Sequence, residues 1–145
     1  MKVKKVAGVV FYDKKLNLAF QVRGNYSKVG ESYSFFGGQL EPGETPKEAL
    51  LRELSEEISY KPKKITFWDV FEYTIKEKGG WHGIKIIQHV FLSPITPALL
   101  KTKVYEGDGI IVMNLNKAIK GEGFPKNSTR FLNKLREKLN NPDTK

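Results

Sequence analysis

The stretch "GGQLEPGETPKEALLRELSEEISY" (residues 37–60) decides how this chain is read. Glycines and turn residues open it, and a helical segment follows with Glu53, Glu56 and Glu57 close to its end. A helix C-terminus is already partly negative, so an unpaired carboxylate there costs roughly 0.3–1 kcal/mol. Glu53 and Glu57 are also four residues apart, a spacing at which like charges cost roughly 0.2–0.5 kcal/mol more. The entrance to the helix is well built by contrast. Thr45 suits the N-cap, Pro46 the first helical position, and Glu48 completes a capping box. The helix is expected over 46–58, because Pro62 prevents any continuation.

At about 100° per residue, Glu53, Glu56 and Glu57 share one arc of that helix. Leu50, Leu51, Leu54 and Ile58 fill the adjoining arc and are expected to face the core. The carboxylates then run along the edge of the buried stripe. Arg52 flanks them, four residues from both Glu48 and Glu56, and a single guanidinium cannot neutralise three acids. A hard divalent cation would turn this repulsion into attraction, since Mg²⁺ takes oxygen ligands and completes its shell with waters and substrate phosphates. The alternative is an acidic helix face that water alone solvates. Gly37 and Gly38 are expected to form a turn ahead of the helix, where main-chain groups can approach a metal or a pyrophosphate closely.

The rest of the chain bounds the reading. Its 145 residues suit one domain, 1–145, with a proper core, and its 39% apolar and 28% charged content is that of a water-soluble globular chain. The absence of cysteine excludes disulfides, thiolate zinc sites and cysteine nucleophiles. The apolar run "VAGVVFY" (6–12) is too short for a signal-peptide core or a membrane span, so a cytoplasmic protein without membrane contact is expected. A net charge of +9 favours anionic partners. The lysines are scattered in ones and twos, however, and no RNA-binding motif appears, so no stable nucleic-acid complex is expected.

Strands are expected over 3–12, 18–23 and 33–36 before the helix. After it come a hairpin, 64–75 and 84–95, an irregular stretch over 96–109, and a strand over 110–115. A last helix, capped by Asn127 or Ser128, carries the apolar stripe Phe131, Leu132, Leu135 and Leu139. The class is a mixed α/β (α+β) domain.

Gly38, Glu44, Arg52, Glu53, Leu54, Glu56 and Glu57 together resemble the Nudix box, G-x(5)-E-x(7)-R-E-U-x-E-E-x-G-U, the signature of the Nudix hydrolases. A chance match to those first seven fixed positions is on the order of one in a million. Ser59 stands where the box has its closing glycine, and Tyr60 where it has an aliphatic residue. Phe36 stands where many members have proline. The resemblance implies an α/β/α sandwich with a mixed β-sheet. It also implies an Mg²⁺- or Mn²⁺-dependent hydrolase of a diphosphate linked to another group. Nucleoside triphosphates or nucleoside diphosphate derivatives, oxidised nucleotides among them, are the leading substrate class. Nucleotide sugars, dinucleotides and a non-catalytic binding module are the alternatives, and the protein is expected as a monomer or homodimer.

The family's roles fall on particular residues here. Glu53, Glu56 and Glu57 would hold metal with the Gly37 carbonyl, while Glu44 and Arg52 would brace the loop against the helix. Glu53 or a carboxylate outside the box would accept a proton from the attacking water. Glu106 is the favoured outside candidate, with Asp108 beside it, and both are also ordinary turn residues. Arg23 matches a position where relatives often keep a basic residue facing the phosphates, and Phe36 and Gly38 would line the substrate floor. Tyr33, Phe35, Phe36 and Trp81 could stack on a nucleobase. His82 is a candidate base or substrate contact, whereas His89 lies in an apolar strand and reads as packing.

Overall fold

The computed structural model describes residues 2–24, 32–76, 80–121, 124 and 128–141. Its spine is β1 (Val3–Tyr12), a Val-rich strand with apolar residues on both faces. Ala7, Val9 and Phe11 point one way while Val6, Gly8 and Val10 point the other, as the two-residue period of a strand requires. A strand apolar on both sides belongs at the centre of a sheet with a layer on each face. β1 pairs in parallel with β6 (Lys85–Pro94) over its whole length, from Val3 opposite Lys85 to Tyr12 opposite Pro94. It pairs antiparallel with β2 (Asn17–Val22) and β4 (Phe36–Gln39). The two-residue β3 (Tyr33–Ser34) extends the sheet beyond β2, β5 (Thr66–Thr74) forms an edge beside β6, and β7 (Ile110–Asn114) pairs with β2.

Helix α1 (Pro46–Glu57) covers one face, where Leu50, Leu54 and Ile58 pack on Ala7, Val9 and Phe11. Helix α4 (Ser128–Asn140) covers part of the other, where Leu132 and Leu135 meet Val10, Leu18, Val90 and Leu92. Phe131 and Leu139 flank that contact half-buried, so all four residues of the expected stripe face the sheet. The cap expected from Asn127 or Ser128 falls on side chains outside the described set. The result is the α/β/α sandwich with a mixed sheet. Among the described residues no helix is long and apolar enough to cross a membrane.

The entrance of α1 follows its sequence closely. The Thr45 hydroxyl accepts the Glu48 amide at 3.2 Å, and the Glu48 carboxylate accepts the Thr45 amide at 2.9 Å. Thr45→Ala removes one arm of this box and should lower stability by about 1 kcal/mol. In a protein of this length thermal unfolding should then show a melting temperature roughly 2–4 °C lower.

Several expectations are corrected. Gly37 and Gly38 lie in β4, not in a turn, and the turn comes later at Pro42 and Gly43. The reason is crowding: a Cβ on Gly37 would stand 2.0 Å from the Ala7 carbonyl oxygen, and its φ of +146° disfavours any side chain. Leu51 is 44% exposed, because α1 rests on the sheet along a stripe narrower than the apolar arc. The "irregular" stretch contains α2 (Pro97–Leu100), and α3 (Leu115–Lys120) follows β7 directly. Each is too short for periodicity to reveal, and each is started by a side-chain cap, from Thr96 and Asn114 respectively.

Candidate active site

The exit of α1 shapes the site. Its last residues leave as extended chain, with Ile58 bridged to Val104 and no left-handed cap. The Ser59 amide donates to the Lys103 carbonyl at 3.0 Å, and the Tyr105 amide donates to the Glu57 carbonyl at 2.7 Å. The Ser59 hydroxyl accepts the Lys103 amide at 2.9 Å and lies 3.0 Å from the Thr102 hydroxyl, which accepts the Tyr60 amide at 2.8 Å. A serine therefore fits where a glycine cap would otherwise stand. This lacing carries the segment after it, with Glu106, back to the end of the helix.

Glu57 is buried, with 2% of its surface exposed, and one carboxylate oxygen accepts the Gly37 amide at 3.0 Å. Burial pushes its pKa up to about 8; Glu106 and Glu53 add to the rise, while the Gly37 amide and Arg23 oppose it. Glu53 is raised as well, first by burial and then by Glu56 and Glu106, against the pull of Arg52. Glu106 thus shares the field of the buried Glu57 and the half-buried Glu53. Its main-chain carbonyl accepts the Gln21 amide group at 2.8 Å, and the Gln21 oxygen in turn accepts the Arg23 guanidinium. Asp108 instead packs beneath Gly24, where an added Cβ would stand 2.1 Å from its carboxylate.

Arg52 and Glu44 come together as a fork. Arg52 Nε and Nη2 donate to the two Glu44 oxygens at 2.8 and 2.9 Å, and Nη2 also donates to the Gln39 carbonyl at 2.9 Å. That guanidinium holds the Glu44 carboxyl down at about 2. Nη1 reaches Glu53 at 3.0 Å and Glu56 at 3.6 Å. Gly38 lies against Glu53, and a Cβ there would stand 2.3 Å from the carboxyl carbon.

Among the described residues no three His, Asp or Glu side chains converge into a ready metal cage. Arg52 draws Glu53 aside, Glu57 turns inward to Gly37, and Glu56 stays largely in solvent. The donor set still fits a divalent cation, since hard oxygens and buried, mutually repelling carboxyls need positive charge to ionise together.

On the opposite face, where α4 stops covering the sheet, a cavity of about 210 Å³ opens beside Gly8, Gly37 and Gly38. Tyr33 and Phe35 line it, together with Phe71, Tyr73, Phe124 and Phe131, which sequence reading did not assign. The Phe36 ring does not enter it: that ring is fully buried on the α1 face against Phe11, and only the main chain of Phe36 contributes. Trp81 packs with Ile75, Ile84 and Ile86 beneath the Lys4 ammonium, 4.1 Å from the ring centroid. His82 Nδ1 lies 3.2 Å from the Lys76 carbonyl, in the connection between β5 and β6. His89 is half-buried, and burial holds its pKa down with help from Lys5. Gln21 was also missed, although a polar residue on the buried side of "LAFQVR" was a visible signal.

Fold and site define a class: α/β/α sandwiches that place a glycine pair of the sheet against helix carboxylates. The NUDIX domain profile matches residues 2–134, and the chain belongs to that family. It is 37% identical over 73 residues to an 8-oxo-dGTP diphosphatase of Proteus vulgaris, a match covering 50% of this chain and 65% of that protein. It is 27% identical over 78 residues to the 8-oxo-dGTP diphosphatase of Escherichia coli K12, covering 54% and 60%. The matches thus span less than two thirds of either relative. The fold is similar to that of a MutT protein from Methanosarcina mazei Go1, with a TM-score of 0.76 at 19% identity and 97% of each chain covered. It is also similar to an Ap4A hydrolase of C. elegans, with a TM-score of 0.66 at 18% identity, covering 92% of this chain and 96% of that one.

Proposed function

We propose that the protein is a divalent-metal-dependent pyrophosphohydrolase of nucleoside triphosphates or related nucleoside diphosphate derivatives, oxidised nucleotides among them. The observation that carries this is the buried Glu57 with the half-buried Glu53, both in the field of Glu106 and set against the glycine pair that also borders the aromatic cavity. Kinship with two 8-oxo-dGTP diphosphatases supports the substrate class. A bound Mg²⁺ or Mn²⁺ would neutralise the phosphates and lower the barrier to attack by water.

The chain's own groups do the rest. Glu53, Glu56 and Glu57, with the Gly37 carbonyl, are the groups that would hold the cation. Glu53 and Glu106 are the carboxylates able to take a proton from the attacking water. The Arg52–Glu44 fork fixes where Glu53 stands, and Arg23 contributes positive charge beside Glu57. Gly38 leaves the space that Glu53 fills.

The test is incubation with nucleoside triphosphates, 8-oxo-dGTP, nucleotide sugars and dinucleotides in Mg²⁺ or Mn²⁺, with products identified by mass. Release of a nucleoside monophosphate and pyrophosphate from triphosphates is expected, and no cleavage across the panel would overturn the proposal. Arg52→Lys keeps the charge but loses the fork. It should lower kcat/KM roughly 10–100-fold, partly recovered at high metal concentration, as expected for a residue that orients ligands.

A further inference from the structure

We infer that Gln88 reads the edge of a purine base in the cavity, and so determines base selectivity; this rests on the nucleotide reading above. Gln88 lies near the middle of β6, opposite Val6 on one side and Phe71 on the other. It therefore belongs to the half of the sheet that α4 leaves open. The surrounding walls are largely aromatic, and among the described residues lining the cavity Gln88 alone carries a side-chain amide. Its amide makes no hydrogen bond among the described residues, whereas the buried Gln21 amide donates to the Glu106 carbonyl and accepts from Arg23. Gly8 lies beside it, and an added Cβ there would rest in ordinary contact with Gln88 Nε2, at 3.7 Å.

A planar ring laid against the aromatic wall, where Phe71 and Phe131 already meet edge to face at 5.0 Å between centroids, gains stacking on an apolar surface, and a fused bicycle gains more than a single ring. Within such walls, a base that displaces water from the half-buried amide must offer it replacement hydrogen bonds. A glutamine offers one donor and one acceptor side by side. That pattern complements a purine edge in which an exocyclic amino or keto group adjoins a ring nitrogen. A sugar or an unsubstituted ring does not present it.

Binding of nucleoside monophosphates with a chelator present, measured by calorimetry, tests this without metal or turnover. GMP and AMP should bind roughly 10–100-fold more tightly than purine riboside 5′-monophosphate, which has the same ring without the exocyclic group. They should also bind more tightly than CMP and ribose 5-phosphate. Gln88→Leu should abolish the preference over the unsubstituted purine while leaving the melting temperature nearly unchanged. Gln88→Met, which keeps the length without the amide, should do the same if leucine disturbs packing.

Three results would overturn the assignment: a preference that survives both variants, CMP or ribose 5-phosphate binding as tightly as GMP, or no monophosphate binding at millimolar concentration. Base-selective binding without hydrolysis of any substrate would instead sink the hydrolase reading and leave Gln88 in place. Hydrolysis without base preference would do the reverse.

Discussion

Glu57→Gln will reduce metal-dependent turnover by on the order of 10³-fold while making the metal-free protein more stable at pH 8. The loss of rate follows from removing one charged oxygen donor, since a bound cation supplies several kcal/mol of charge stabilisation in phosphoryl chemistry. The gain in stability follows from proton linkage. Burial raises the Glu57 pKa to about 8 in the folded chain, above the ordinary glutamate value of 4.5. Between those values the folded state binds more protons than the unfolded one, so stability falls as pH rises through that window. Above pH 8 the full cost of a buried carboxylate is present, on the order of 2–4 kcal/mol, and below pH 4.5 it is absent.

Glutamine carries no such cost and can still accept the Gly37 amide. Melting in a chelator should show the variant about 5–10 °C more stable than wild type at pH 8, and the two nearly equal near pH 4.5. Added Mn²⁺ should narrow or invert the gap at pH 8. A variant that kept its activity would remove Glu57 from the mechanism, and equal melting at pH 8 would refute its burial as a charged group.

The adjacent glycines should separate fold from chemistry. At Gly37 an added methyl meets main chain, the Ala7 carbonyl oxygen at 2.0 Å, in a backbone conformation with φ of +146°. Neither partner can move without opening the β1–β4 pairing, so Gly37→Ala should cost roughly 3–5 kcal/mol and lower the melting temperature by about 10 °C. At Gly38 the obstacle is the Glu53 carboxyl at 2.3 Å, the far end of a side chain that can swing away. Gly38→Ala should therefore retain most of its stability but misplace Glu53, lowering kcat/KM by about 10²-fold. Melting and kinetics on the two variants should show opposite orders of severity. Equal effects on both readouts would mean that the two positions are not doing different jobs.

The sequence displayed the helix and its entrance plainly, because Thr45, Pro46 and Glu48 act within one turn and need no distant partner. The strands β5 and β6 were legible for a similar reason, being long segments joined in a hairpin. The carboxylates were visible as types, but their surroundings were not. Glu57 becomes a buried acid only because β4 lies over it, and helical spacing could place it no further than the margin of a stripe. Gly37 and Gly38 read as a turn until Ala7 and Glu53, from two other elements, supplied the reason for them. The cavity was hidden because its walls come from five strands and the region of α4, so no local pattern joins Gly8, Gln88 and Phe131. Ser59 read as a defect in the box, and its partners Thr102 and Lys103 lie beyond the whole β5–β6 hairpin.

The pairing of the sheet also has a kinetic side. Val3 meets Lys85 and Asn17 meets Asn114, so β1 and β2 complete their hydrogen bonds only with residues 82 and 97 positions further along the chain. Closing such wide loops costs entropy before any contact compensates for it, which places a chain of this topology among slow folders, at roughly milliseconds to seconds. On a ribosome, the spine must wait for β6 to emerge, and until then β1 exposes an unpaired, Val-rich edge to whatever else is present in the cell.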